Sequence, residues 1–159
     1  MATPAEAQPL TGTLLGFDFG ERRIGVAVGE TQTRLAHPVA AITAAATEAR
    51  FAAIARLVAE WQPAGFVVGQ PRHADGSEHP VAKLAAKFAR RLATRFRLPV
   101  AIVDETLTSA EAGSRIREAG GRPRTKGELD AHAAAVILQS YLDDPNHTMT
   151  KETHGRAAA

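Results

Sequence analysis

The sequence predicts a mixed α/β domain, on three observations. An apolar stretch, a short polar turn and a second apolar stretch read as a hairpin near the start of the chain. Two short, wholly apolar runs follow, around Phe66 and Val100, with the signature of buried central strands. Segments with apolar residues at helical spacing precede and separate those runs. A hairpin sheet extended by parallel βα units gives an α/β sandwich.

Leu14–Phe19 is the first strand, Gly20–Arg23 the turn, and Ile24–Val28 the second strand, antiparallel to the first. Residues 33–39 offer a third strand that Pro38 interrupts. Phe51, Ile54, Leu57, Val58 and Trp61 recur at helical spacing, so a helix is expected over 46–61, ended by Pro63 and Gly65. Phe66–Val68 is the next strand, running into a polar loop through Gly76. Val81, Leu84, Ala85, Phe88, Leu92 and Phe96 define a second helix, begun at Pro80 and stopped before Pro99. Val100–Val103 is another buried strand. Thr108 with Glu111, and Thr125 with Glu128, form capping boxes that open a third and a last helix; Gly120 and Gly121 close the third. Trp61 and Phe66 are expected in the core.

At 159 residues the chain is expected to form one domain over 13–142, with a disordered lead-in at 1–12 and a flexible tail at 143–159. Charged residues make up 23% and apolar ones 45%, as in soluble globular proteins. The pI of 9.4 permits contact with nucleic acid. The lack of cysteine excludes disulfides and zinc–thiolate sites. No apolar run reaches the length of a membrane span, and the first residues lack the pattern of a secretory signal, so a cytoplasmic location is expected.

Asp18 carries the most information about function. It falls inside a strand that otherwise reads as buried, where a carboxylate needs a cation or hydrogen-bond donors. Glu105 lies just past the strand Val100–Val103. Asp130 lies in the first turns of the last helix, on the same stripe as Ala134, Ile137 and Tyr141, and so on its inward face. Carboxylates brought close together cannot all stay ionised without a cation. Oxygen-only ligands suit Mg²⁺ or Mn²⁺. Two such ions about 4 Å apart would serve phosphodiester hydrolysis by a metal-activated water. Each acid alone has a simpler explanation: Asp18 pairing with Arg22 or Arg23, Glu105 solvated in a loop, Asp130 favouring a helix N-terminus. Together they favour a metal site.

Four segments, in order, resemble the YqgF nuclease family, pre-16S ribosomal RNA nucleases related to Holliday-junction resolvases. Residues 18–27 (DFGERRIGVA) resemble its opening motif. Residues 67–77 (VVGQPRHADGS) resemble its GLP…DGS loop, residues 103–112 (VDETLTSAEA) its DERLTT segment, and residues 126–139 (KGELDAHAAAVILQ) its final helix. The resemblance implies a ribonuclease-H-like fold, a mixed five-stranded sheet with helices on both faces. It also implies a metal-dependent nuclease that matures the 5′ end of 16S ribosomal RNA, and it assigns the acidic roles to Asp18, Glu105 and Asp130. Two residues depart from the family pattern: Thr106 stands where Arg is usual, and Gln70 where Leu is usual.

Around the acids, Arg23 and Lys126 could contact substrate phosphate, or serve only as an ion-pair partner and a solvated lysine. Arg122 and Arg124 flank a loop that could clamp RNA or DNA. Lys83, Lys87, Arg90 and Arg91 line one side of the second helix, where they could follow a phosphate backbone or simply face solvent. His132 has a poor helical offset from Asp130 and reads as a surface residue. The expected partner is nucleic acid, pre-16S RNA or branched DNA, bound by a monomer or weak homodimer. Three alternatives stay open: a resolvase acting on DNA junctions, a non-catalytic nucleic-acid binding module, and an actin-like kinase, which would need a second lobe.

Overall fold

Strand β1 (Thr13–Asp18) lies near the middle of a six-stranded mixed sheet. The computed structural model describes residues 10–44, 46–71, 80–105, 125–145 and 150–152. After β1 come β2 (Arg23–Glu30), β3 (Leu35–Thr43), α1 (Thr47–Trp61), β4 (Gly65–Pro71), α2 (Ala82–Phe96), β5 (Val100–Glu105), α3 (Lys126–Asp143) and β6 (Thr150–Glu152). The strand order is β3-β2-β1-β4-β5-β6. The hairpin pairs β1 with β2 antiparallel, whereas β1–β4 and β4–β5 are parallel, joined by the crossover helices α1 and α2. The expected five-stranded mixed sheet is β1–β5, and the three-residue β6 extends it beside β5. The third helix expected over 108–120 lies outside the described residues.

Strand alternation splits the core in two. Leu15, Phe17, Ile24, Val26, Phe66, Val68, Val100 and Ile102 face α1 and α2, joined there by Phe51, Ile54, Phe88 and Leu92. Leu14, Ala27, Val67, Ala101 and Val103 face α3, which supplies Ala134, Ile137, Leu138 and Tyr141. Helices therefore cover both faces. The α3 face is lined by small residues, which lets that helix come unusually close. A Cβ added at Gly16 would sit 2.8 Å from the Leu138 Cβ, and one added at Gly25 would sit 2.0 Å from the Asp130 carbonyl oxygen. Thr125 caps α3, accepting a hydrogen bond from the Glu128 amide at 3.0 Å, as the expected capping box requires. Gln139 and Tyr141 fasten the rest of the helix: the Ala36 amide donates to Gln139 Oε1 at 3.0 Å, and the Leu10 amide to the Tyr141 hydroxyl at 2.8 Å.

Two expectations need correction. Pro38 does not end the third strand, which continues to Thr43. Its partner pattern steps from Val26–Ala40 to Ala27–Pro38, leaving Val39 as an extra residue in a bulge. β3 is an edge strand, and a bulge on an edge tolerates a residue with no N–H to donate. Trp61 is not core: it ends α1 and is 37% exposed, lining an open pocket beside β2 and β3. Phe66 is fully buried, as expected.

Candidate active site

The site is built by one register and one close contact. Asp18 ends β1 and lies directly opposite Gly25 on β2, so the two share a face of the sheet, the face covered by α3. Gly25 has no side chain, and the backbone of Asp130 rests where one would be. The second acid is thereby brought beside the first. The juxtaposition of Asp18 and Asp130, expected from the apolar stripe of the helix, follows from helix-on-glycine packing.

The two carboxylates differ in their surroundings. Among the described residues, no hydrogen-bond donor or cation reaches the Asp18 carboxylate. Burial, and then the negative charge of Asp130, push its pKa from 3.8 up to about 7. Asp130 instead has a partner: Arg23 Nε donates to its Oδ2 at 2.5 Å, with both side chains partly exposed. Arg23 starts β2, two residues from Gly25 and thus on the same face, below the first turn of α3. The ion pair weighed for Asp18 and Arg23 is made with Asp130 instead. Arg23 uses only its Nε in this bond.

Glu105 ends β5, its backbone opposite Pro71 at the end of β4, and position 105 has the same strand parity as Ala101 and Val103. Its carboxylate lies outside the described structure, as do Arg122 and Arg124, Thr106, and the Gly120–Gly121 loop. Among the described residues, no group of three acidic or histidine side chains is close enough to hold a metal. Lys126 is exposed, one helical turn before Asp130. His132 is half-buried, not fully at the surface. Gln70 has a structural role, since its Nε2 donates to the Ala82 carbonyl at 3.3 Å and ties the end of β4 to the start of α2.

Sequence reasoning missed Arg50. It is 7% exposed, although its position, four residues before Ile54, put it on the apolar stripe of α1. Its Nε donates to the Ala44 carbonyl at 2.5 Å and a terminal nitrogen to the Glu21 carbonyl, and its guanidinium lies 5.6 Å from the Phe19 ring centre. It therefore bolts the β1–β2 turn, which begins one residue after Asp18, to the β3–α1 junction. Arg50→Ala is expected to lower stability by about 2–3 kcal/mol, because it strands two carbonyls that a charged donor had satisfied. Urea unfolding checks this; a loss under about 0.5 kcal/mol would mean that water replaces the guanidinium.

Residues 12–144 match the RuvX family, described as "Holliday junction resolvase". A Dechloromonas aromatica protein named "Putative pre-16S rRNA nuclease" is 55% identical over 139 residues, 87% of this chain and 95% of that one. A protein of the same name from Methylobacillus flagellatus is 53% identical over 142 residues, 88% and 97% of the two chains. Among solved structures, T. thermophilus RuvC in complex with a Holliday junction substrate superposes with a TM-score of 0.54 at 15% identity, covering 86% of this chain and 98% of that one. At that identity the likeness concerns the fold, which is the ribonuclease-H-like α/β fold expected from the sequence. Among the described residues, no helix is long and apolar enough to cross a membrane.

Proposed function

The chain belongs to the RuvX (YqgF) family of nucleases, and from that premise we propose that it hydrolyses phosphodiester bonds with a divalent metal at Asp18, Glu105 and Asp130, its substrate being the 5′ end of pre-16S ribosomal RNA. One observation carries the proposal: Asp18, without a donor among the described residues, is held beside Asp130 at the carboxyl end of a central strand. In open α/β sheets, ligands gather at that end.

The donors fit such an ion. They are all carboxylate oxygens, the choice of hard cations such as Mg²⁺ and Mn²⁺. The buried Asp18 carboxylate lacks the positive charge it needs, and Glu105, at the end of β5, is the third ligand in this reading. When bound, the metal supplies charge to steady the phosphate oxygens and to acidify a water. The rest is the work of the chain itself. Asp18 must shed its proton near pH 7 to act as a ligand. Asp130 is oriented by Arg23. The terminal nitrogens of Arg23 make no other bond among the described residues, so they can meet a substrate phosphate. Lys126 projects one turn away and can do the same as a point charge. Arg122 and Arg124 would complete the grip on the strand. The cytoplasm is the expected compartment for this work, with the protein a monomer or weak homodimer.

The test offers purified protein precursor 16S RNA and a four-way DNA junction in parallel, with Mn²⁺ and with chelator. Metal-dependent cleavage of the RNA is the expected result. Asp130→Asn should slow it at least about 10³-fold, the scale on which loss of one charge-stabilising group acts, without unfolding the protein. Unchanged cleavage by the purified Asp130→Asn protein refutes the site. Cleavage of the junction alone would transfer the same site to the resolvase reaction that the family description names.

A further inference from the structure

On the opposite face of the sheet from α3, helices α1 and α2 enclose an open cleft of about 940 Å³, lined by Thr47, Glu48, Lys87, Arg90, Arg91, Thr94 and Arg95. We propose that this cleft binds the phosphate backbone of the nucleic-acid segment flanking the cleavage position. The proposal rests on the nuclease reading above and adds a second contact surface to it.

Charge is the first reason. Helix α2 carries Lys83, Lys87, Arg90, Arg91 and Arg95 and no acidic residue at all. A helix face that is merely solvated usually mixes signs, which supports the helix through pairs one turn apart; like charges at that spacing repel instead. Lys87, Arg91 and Arg95 stand four residues apart and form such a repelling ridge. Over eight residues it is about 12 Å long, the axial rise of three to four phosphates of one strand. Among the described residues, the sole acid in the lining is Glu48, and it is engaged: Arg95 donates to its Oε2 at 2.6 Å. Four cations against one acid leave the cleft strongly positive.

Preorganisation is the second reason. Arg95 is held by Glu48 and lies 4.4 Å from the centre of the Phe51 ring, so one cation of the ridge is already fixed in place. Lys87, Arg90 and Arg91 form no ion pair among the described residues and stay available. Thr47 and Thr94 add hydroxyls of the kind that bond phosphate oxygens.

Position is the third. A smaller recess of about 50 Å³ shares Thr47, Lys87 and Arg91 with the cleft and is lined further by Phe19 and Arg50. Phe19 follows Asp18 directly. The start of α1 comes just after Thr43, which pairs with Arg23, so the cleft opens at the end of the sheet that carries the two acids. A strand laid over Asp18 and Asp130 can cross Phe19 and continue between α1 and α2. The cleft reads backbone charge, which RNA and DNA share.

The experiment compares the full-length protein with its Lys87→Ala/Arg90→Ala/Arg91→Ala variant. Binding to a strand of about 20 nucleotides of RNA, and to the DNA strand of the same sequence, is followed by fluorescence anisotropy, in chelator, across a salt series. The variant is expected to bind at least about ten-fold more weakly at about 100 mM salt, with a log–log salt slope shallower by about two to three, near one unit per lost phosphate contact. A Lys87→Arg/Arg90→Lys/Arg91→Lys variant should keep the original slope, which a purely structural role would not require. Loss on RNA alone narrows the ligand to RNA and still supports the cleft. Unchanged affinity and slope of the alanine variant on both strands overturns it. Because binding is read here and cleavage only in the separate metal-dependent assay above, the outcomes separate: a protein that binds through the cleft and cuts nothing removes the nuclease reading only, and one that cuts RNA with the cleft neutralised at no loss of affinity removes the cleft only.

Discussion

Asp18→Asn should make the metal-free protein more stable while leaving it unable to cut. In the native state, burial and Asp130 raise the Asp18 pKa from 3.8 to about 7. The folded chain therefore holds a proton that the unfolded chain releases near pH 4. Between those values the unfolded state binds fewer protons, so stability falls as pH rises from about 4 to about 7. Below about pH 4 Asp18 is protonated in both states and contributes no loss. Above about 7 the whole loss is present. Three pKa units correspond to at most about 4 kcal/mol. Asparagine keeps the shape and never carries the charge. The variant should match the wild type at about pH 4 and melt about 10 °C higher at about pH 8, with 2–4 °C per kcal/mol for a chain of this size. Calorimetry in chelator across this pH range checks it; equal melting temperatures at the alkaline end would show that the carboxylate is not confined. Manganese should then close most of that gap. Ligand at one hundred times its dissociation constant adds about 2.7 kcal/mol to a protein that binds it, and the asparagine variant lacks the anion that would bind. A residue whose removal stabilises the empty protein is retained for its chemistry, not for the fold.

Gly25→Ala is the second large expected effect, through geometry alone. The new methyl would lie 2.0 Å from the Asp130 carbonyl oxygen and 2.5 Å from its carbon, both backbone atoms of a helix packed on the sheet. No rotamer change relieves such a clash. Either α3 lifts from β2 or the strand bends away, and overpacking of this kind costs about 3 kcal/mol. Lifting α3 also draws Asp130 from Asp18, so cleavage should fall along with stability. Gly16→Ala, 2.8 Å from the Leu138 Cβ and 3.3 Å from the Ala134 carbonyl oxygen, is the milder comparison, since a smaller movement of α3 relieves these longer contacts. Urea unfolding of the two variants gives the contrast. Equal, small losses in both would show that the helix has room to spare at Gly25.

The hairpin, both parallel strands, the helices at 47–61 and 82–96 and the capped last helix are all legible in the sequence, because each rests on a period or a cap that local chemistry enforces. Asp18 and Asp130 are legible for a related reason: a carboxylate on an apolar face is conspicuous wherever the chain goes. Arg50 is equally conspicuous on its stripe and is easily overlooked, since nothing local says which carbonyls it would satisfy. Trp61 is misplaced because an apolar period does not say which of its positions the sheet leaves open to solvent. Pro38 misleads because its effect depends on whether its strand is central or at an edge.

The sequence by itself determined the main strands and helices among the described residues, the family, and that Asp18 and Asp130 are acids on apolar faces, since each of these rests on patterns among residues close together in the chain. Only the tertiary structure decided that Arg23 serves Asp130 and leaves Asp18 bare among the described residues, that α3 rests on Gly25, and that the cations of α2 gather around a cleft. Those facts join residues as many as 107 positions apart. They follow from strand order, register and the distance at which a helix meets a sheet, which the chain acquires only on closing its core.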